Sequence, residues 1–165
     1  MATIRRYRPD DLEGCRSLWA DLTEWHRDLY ADRSIGGDDP GSGFDAQLAE
    51  VGPERIWVAE QDGRLVGMAG MIVRGDKVEL EPLSVRAGCR GAGIGRELAE
   101  AVLRAAREQG ARQVVVRPTG RNAQAIQVLH ALGFDVVSRV ELVCDLGRGE
   151  RWRDGETLAE RRFRV

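Results

Sequence analysis

Residues 85–96 read Val-Arg-Ala-Gly-Cys-Arg-Gly-Ala-Gly-Ile-Gly-Arg, and they join an apolar strand-like segment to an amphipathic helical one. Gly91, Gly93 and Gly95 remove side chains where the first-turn amides of the helix point outward. Such a helix start carries unpaired N–H donors and the positive end of the helix dipole, so it suits a phosphate or pyrophosphate. Arg90 adds a cation at the rim. The stretch therefore predicts an anion-binding strand–loop–helix.

Two common phosphate-binding motifs fit this loop poorly. A dinucleotide fingerprint has the spacing GxGxxG, but Arg96 stands where the third glycine belongs. A P-loop needs Gly-Lys-Ser/Thr, which the loop lacks. The spacing therefore disfavours a nucleotide or dinucleotide binder of another fold. A glycine turn that only lets a helix pack closely is an equally good interpretation of the loop by itself.

The apolar periodicity of the chain predicts alternating strands and helices in one domain, residues 1–165. The strands are predicted at Thr3–Arg8, Arg55–Gln61, Arg64–Val73, Lys77–Val85, Arg112–Arg117 and Phe134–Leu146, with a further short strand in Leu158–Val165. One helix is predicted to follow Asp10 and Asp11 as N-cap residues, and others to cover Phe44–Glu50, the stretch from the loop to about Gln109, and the stretch from Asn122 to Gly133. Pro82 interrupts its strand, which indicates an edge or a bulge. This order predicts a mixed α/β sheet flanked by helices.

The composition narrows the function classes. A net charge of −2 argues against binding nucleic acid by general electrostatics, and 42% hydrophobic residues argue against disorder. We expect no signal peptide and no membrane span, because no apolar run is long enough. The cysteines Cys15, Cys89 and Cys144 are odd in number and widely spaced, which predicts free thiols in a reducing cytoplasm. The two histidines, His26 and His130, lie far apart in sequence, so we expect no metal site.

Four segments, taken in order, resemble the GNAT (GCN5-related N-acetyltransferase) superfamily. Arg90-x-x-Gly93-x-Gly95 after an apolar strand resembles its acetyl-CoA motif. Residues 122–134, Asn-Ala-Gln-Ala-Ile-Gln-Val-Leu-His-Ala-Leu-Gly-Phe, resemble its Asn…Ala-Ile…Leu-Gly-Phe helix. Residues 57–67, Trp-Val-Ala-Glu-Gln-Asp-Gly-Arg-Leu-Val-Gly, resemble its second and third strands, and residues 4–12 resemble its opening. Together the four segments extend over nearly the whole chain.

The resemblance implies the GNAT fold, a mixed and mostly antiparallel central sheet of about six to seven strands flanked by helices. One strand pair is splayed, between Leu83–Val85 and Val114–Arg117. Acetyl-CoA is the implied cosubstrate: loop amides would hold its pyrophosphate, its pantetheine arm would follow the strand, and a strand N–H would polarise the thioester carbonyl. The residues implied to bind it are Leu83, Ser84, Val85, Arg90, Gly91, Ala92, Gly93, Ile94, Gly95, Arg96 and Asn122. An ordinary N-cap is at least as good an interpretation of Asn122.

Two carboxylates are candidates for the general base that the reaction requires. The attacking amine must be uncharged, because an ammonium has no lone pair, so a carboxylate has to take its proton directly or through water. Glu79 and Glu81 are two residues apart on a strand and should face the same side of the sheet. We favour Glu81, which is nearer the splay. Solvation, or a pairing with an arginine, is the alternative interpretation of either residue.

The sequence departs from the family pattern at Leu129, where members often carry a tyrosine that protonates the departing thiolate. His130 is adjacent but about 100° around the helix, and Tyr30 could reach in from the first helix. The general acid is therefore open. A non-catalytic acyl-CoA-binding module on the same fold, used as a sensor or assembly partner, remains the alternative function.

The acceptor implied by the resemblance is a primary amine of a small molecule or peptide. Acidic residues outnumber basic ones in the segment that would border the acceptor cleft, where Asp21, Glu24, Asp28, Asp32, Asp38, Asp39, Asp45 and Glu50 stand against Arg27 and Arg33. An acidic wall would attract a cationic amine, although a solvated helix face explains the same pattern. A homodimer is an expectation from the superfamily.

Overall fold

A five-stranded sheet with helices on both faces forms the body of this computed structural model, which describes residues 1–142, Cys144, Leu146 and the strands at 154–158 and 161–164. The sheet has the order β1-β2-β3-β4-β5. Its strands are β1 (Thr3–Arg6), β2 (Ile56–Gln61), β3 (Arg64–Arg74), β4 (Lys77–Val85) and β5 (Gln113–Val115). Neighbouring strands from β1 to β4 are antiparallel, whereas β4 and β5 are parallel.

Two apolar clusters, one on each face of the sheet, attach the helices. Helices α1 (Leu12–Tyr30) and α2 (Ser42–Val51) pack over a cluster around Leu18, Phe44 and Met68. Helix α3 (Ile94–Glu108) buries its apolar stripe over the other cluster, which Leu129 of α4 (Ala123–Ala131) also joins. The mixed α/β sheet flanked by helices that the sequence predicts is confirmed. Within the described chain, no helix is both long and apolar enough to cross a bilayer.

Asp11 occupies the predicted N-cap position of α1, but its side chain makes no capping bond. Its carboxylate instead accepts two hydrogen bonds from the Arg5 guanidinium, at 2.7 and 2.8 Å, and one from the Arg8 amide at 2.7 Å. These donors, Arg5 foremost, lower the pKa of Asp11. The buried carboxylate therefore ties β1 to the helix, a pairing that a local capping rule does not anticipate.

The C-terminal strands differ from the prediction. The central sheet has five strands, slightly fewer than expected, and a separate hairpin holds β6 (Asp154–Leu158) and β7 (Arg161–Arg164). The predicted strand Phe134–Leu146 is wrong over residues 134–142, which have no regular secondary structure. Val136, Val137 and Leu142 are exposed there. Their β-propensity is local, whereas a strand also needs a partner to pair with. Residues 143, 145, 159, 160 and 165 of the two predicted C-terminal strands lie outside the described residues.

A bulge interrupts β4 at Glu81–Pro82, as Pro82 predicted. Ala69 of β3 is opposite Leu83, but Met71, two residues further, is opposite Leu80, so β4 carries one extra residue. The Glu81–Pro82 peptide is cis. Leu80 and Leu83 both belong to the cluster beneath α3. The two residues between them are therefore left for the face that carries α1 and α2.

Gly70 lies against this bulge. A Cβ atom at Gly70 would collide with the Glu81 carbonyl oxygen and would lie 2.9 Å from Pro82 Cδ. Both neighbours are held in a sheet, one of them through its backbone, so neither can yield cheaply. The absence of a side chain at Gly70 is what lets β3 follow β4 past the extra residue.

We therefore expect Gly70→Ala to lower the free energy of unfolding by about 1–3 kcal/mol, the usual cost of overpacking. Gly88→Ala is the matched control, because a Cβ there meets no atom within 4 Å. Urea unfolding of both variants measures the difference. Equal midpoints for Gly70→Ala and Gly88→Ala would contradict the packing of the bulge described here.

Candidate functional site

An opening in the sheet appears where β5 stops following β4. The parallel pairs are Lys77–Gln113, Val78–Val114 and Glu79–Val115, and the described chain continues the ladder no further. Strand β4 runs on for six residues to Val85 with β3 as its only described neighbour. The splayed strand pair predicted from the sequence is therefore present.

Backbone groups of Leu83 and Val85 face this opening. The Arg86 amide donates to Val66 O of β3 at 2.9 Å. Because successive residues of a strand direct their N–H and C=O groups to opposite sides, those of Val85 and Leu83 point away from β3. Consistent with this direction, Val85 O accepts a hydrogen bond from Arg90 Nε at 3.0 Å. The end of β4 thus presents an edge to which an extended ligand can hydrogen-bond.

The start of α3 borders the same opening and is uncapped. Gly93 precedes the helix with a φ of 85°, which glycine adopts without strain, and no side chain caps the helix. The first helical bond runs from the Glu97 amide to Gly93 O at 3.1 Å, so the amides of Ile94, Gly95 and Arg96 lack helical acceptors.

The loop before α3 is open to solvent. Residues 90–93 are exposed, and a Cβ on Gly91 or Gly93 would meet no atom within 4 Å. A Cβ on Gly95 would touch only Val85 Cγ2, at 3.5 Å. The Arg96 side chain turns along the helix to Glu100, at 2.8 Å. The helix start therefore has room for an anion.

Asn122 is the N-cap of α4. Its Oδ1 accepts a hydrogen bond from the Ala125 amide at 3.0 Å. The structural interpretation of this residue is confirmed, and its role toward a ligand stays a prediction.

Three arginines from the loops beside the opening dock on one stripe of α1. The stripe consists of residues that recur every four positions, Ser17, Asp21, Trp25 and Leu29. Arg86 pairs with Asp21 and donates to Ser17 Oγ at 3.1 Å. The Arg90 guanidinium lies 5.8 Å from the Trp25 ring centroid. Arg121, which follows β5, donates to Leu29 O at 2.8 Å. Helix α1 is thereby fixed across both sides of the opening.

The two candidate bases differ in their surroundings. Glu79 is buried, with a side chain only 6% exposed, and it forms an ion pair with Arg117, whose side chain is 60% exposed. Glu81 is exposed. The sequence left an arginine pairing open without naming the partner. The pairing crosses from β4 to the end of β5, which only the parallel register brings together.

Gln47 of α2 is a site residue that the sequence analysis missed. It is buried, and its Nε2 donates to the Glu81 carbonyl at 2.9 Å. The signal that could have revealed it is a polar residue within an apolar helical stripe, since Phe44 and Val51 lie on the same buried face.

The three residues discussed in connection with the general acid have different surroundings. Leu129 is buried in the cluster beneath α3, and His130 is exposed. Tyr30 is half-buried, with the Arg121 guanidinium 5.2 Å from its ring centroid. The described residues include no group of three His, Cys, Asp or Glu side chains able to hold a metal ion.

Most of the acidic residues thought to form a wall are ion-paired. The pairs are Arg86–Asp21, Arg27–Glu24, Arg33–Glu24, Arg33–Asp28, Arg16–Asp39, Arg16–Asp45 and Arg74–Glu50. Three of these arginines lie outside the acidic segment in sequence, and the fold brings them to it. The charge imbalance along the segment is therefore largely compensated in space.

Comparison with known proteins assigns the family. Residues 16–134 match the model of the Acetyltransferase (GNAT) family. Streptothricin acetyltransferase of Streptomyces lavendulae is 37% identical in an alignment 151 residues long, which covers 79% of this chain and 80% of that protein. N-acetyltransferase 8B of Homo sapiens is 34% identical in an alignment 93 residues long, which covers 53% of this chain but only 40% of the human protein.

A solved structure shows the same fold. AAC(6′)-Iy, in complex with the bisubstrate analogue CoA-S-monomethyl-acetylneamine, superposes with a TM-score of 0.65 at 23% identity, over 88% of this chain and 98% of that one. The chain belongs to the acetyltransferase (GNAT) family.

The Glu79–Arg117 pair yields a stability prediction. Arg117→Met leaves a buried carboxylate without its partner, so we expect a loss of about 1–2 kcal/mol, below the range for fully buried pairs because Arg117 is largely exposed. Adding Glu79→Gln removes the orphaned charge and should restore part of the loss. Thermal or urea unfolding of Arg117→Met, Glu79→Gln and the double variant measures these losses of stability. If the loss in the double variant equals the sum of the two single losses, the two side chains do not interact and the result speaks against the pair.

Proposed function

We propose that the chain transfers the acetyl group of acetyl-CoA to a primary amine of a small molecule or peptide, with Glu81 as general base. The observation that carries the proposal is that two backbone features lie at the same opening. The unpaired edge of β4 and the uncapped start of α3 border the same gap in the sheet. The first suits an extended amide-bearing arm and the second suits a diphosphate.

The residues present fit the cosubstrate. The amides of Ile94, Gly95 and Arg96 lack helical acceptors, which a diphosphate would provide, and Gly91 and Gly93 leave the approach clear. The Leu83 and Val85 backbone groups are directed to the opening, where pantetheine amides can pair with them. Binding there would compete with the Arg90 bond to Val85 O and would free that guanidinium for the phosphates.

Acetyl-CoA supplies an activated thioester to the site. The protein has to remove a proton from the acceptor, because only the neutral amine can attack the carbonyl. Glu81 lies at the bulge, on the α1/α2 face, and its exposed carboxylate can take that proton directly or through water. Solvent can protonate the departing thiolate, which agrees with a site that has Leu129 in place of the usual tyrosine.

Glu81 suits the base role better than Glu79. A base must reach the incoming amine, and a carboxylate that is 6% exposed and bound to Arg117 offers little access. Glu79 is retained as the second candidate.

Small cationic amines are the acceptor class that we favour. One relative is named for streptothricin, and the structural neighbour is bound to an acetylneamine conjugate of CoA. Since arginines compensate most of the acidic residues on α1 and α2, we ascribe the attraction of a cation to exposed Glu81 rather than to an acidic wall. A cytoplasmic location and a homodimer remain predictions from the sequence.

One observation favours a second function. Leu129, which is buried, occupies the usual tyrosine position. A non-catalytic acyl-CoA-binding module would show the same feature. It would bind CoA and release no thiol with any amine.

We expect Glu81→Gln to lower kcat for CoA thiol release by about 10²–10⁴-fold, the usual contribution of a general base. The KM for acetyl-CoA should change less than about threefold, because the binding elements lie elsewhere. Glu79→Gln should reduce kcat less. A thiol-release assay over a panel of amines, including aminoglycosides, polyamines and peptides, measures these values.

Glu13→Gln is the control, since Glu13 is an exposed residue of α1. Full activity of both Glu81→Gln and Glu79→Gln would refute the carboxylate base. Tight CoA binding without thiol release in wild type would favour the non-catalytic module.

A further inference from the structure

The bulge interrupts the regular pairing of β4 at the Glu81 carbonyl. Glu81 and Pro82 have no register partners in β3, and the β5 ladder has already ended at Glu79. A polar backbone group outside the ladder needs another partner when it is shielded from water. Gln47 supplies that partner, because its Nε2 donates to Glu81 O at 2.9 Å.

Gln47 is an unusual residue for its position. It is 7% exposed on the stripe of α2 that also buries Phe44 and Val51. An amide in an apolar environment costs free energy unless it is hydrogen-bonded, so an apolar residue would serve packing alone at least as well. The bond to Glu81 O is the interaction that compensates this cost.

The main chain at Glu81 is thus held from two sides. Gly70 lies against the bulge on one side, where even a Cβ would collide with Glu81 O, and Gln47 holds the same oxygen from α2. The Glu81 side chain itself is exposed and has no described partner among the hydrogen bonds and ion pairs. Its position therefore depends on how firmly its own backbone is fixed.

Helix α2 is in turn anchored to α1. Arg16 of α1 pairs with Asp39 at 2.7 Å and with Asp45 of α2. The Trp19 ring packs 6.4 Å from that of Phe44, centroid to centroid. Gln47 consequently links the helices over the α1/α2 face to the residue proposed as base.

We propose that Gln47 is a positioning residue for catalysis, which fixes the Glu81 carboxylate by holding the carbonyl of the β4 bulge. The proposal rests on the proposed function. A carboxylate that shifts by about 1 Å can lose a hundredfold in rate. Gln47 touches no reacting atom and acts through Glu81 alone.

Gln47→Met tests the proposal, because methionine is unbranched, of similar length and without a donor. We expect kcat for thiol release to fall at least about tenfold while the KM for acetyl-CoA stays within about threefold. In the double variant Gln47→Met/Glu81→Gln, kcat should fall no further than in Glu81→Gln, since a residue that acts through Glu81 has nothing left to position. Gln109→Leu, at the exposed end of α3, is the matched control.

Circular dichroism and acetyl-CoA titration check that each variant is folded. Gln47→Leu is the second variant, should methionine prevent folding: it also removes the donor, and the same loss of kcat is expected. A wild-type kcat in a folded Gln47 variant would overturn the proposal. It would also be overturned if the loss of kcat in Gln47→Met/Glu81→Gln equalled the product of the losses in the two single variants. If Glu81→Gln is impaired but Gln47→Met is not, only this inference fails. A wild type that releases no thiol overturns the proposed function as well.

Discussion

A strand that extends beyond the end of its neighbour has backbone groups without a partner in the sheet, and this constraint determines how the site is built. Strand β5 leaves β4 after the Glu79–Val115 pair, while β4 continues to Val85. The unpaired groups on this edge would cost free energy if apolar side chains covered them. Here the edge faces an opening, with the uncapped start of α3 at its end. Backbone donors and acceptors therefore line the proposed binding surface.

Charge in this protein serves mainly to hold elements together. Arg86, Arg90 and Arg121 fix the two loops beside the opening to α1, and Arg5 fixes β1 to the start of the same helix. Arg117 compensates the buried charge of Glu79. Exposed ion pairs contribute little stability one by one. Their arrangement nevertheless leaves Glu81 as an exposed carboxylate beside the opening, which agrees with the role proposed for it.

Local signals predicted the parts of the molecule that depend on local physics. The glycine spacing before α3 predicted an open helix start, and Pro82 predicted the bulge, because both follow from backbone sterics. Contacts between residues that are distant in sequence could not be predicted. The Arg117 partner of Glu79 and the Gln47 bond to Glu81 O join residues that only the fold brings together. The valines after Phe134 suggested a strand, but propensity does not provide a partner strand.

The proposed function requires that the amides at the start of α3 receive the diphosphate of acetyl-CoA. Ala92, exposed between two glycines, allows a direct test by calorimetric titration of acetyl-CoA against Ala92→Glu and its neutral counterpart Ala92→Gln. A carboxylate near a helix start stabilises the helix but repels an anion, so Ala92→Glu should keep its melting temperature and bind at least about tenfold more weakly than Ala92→Gln at low salt. Equal affinities of the two variants for acetyl-CoA would contradict the account.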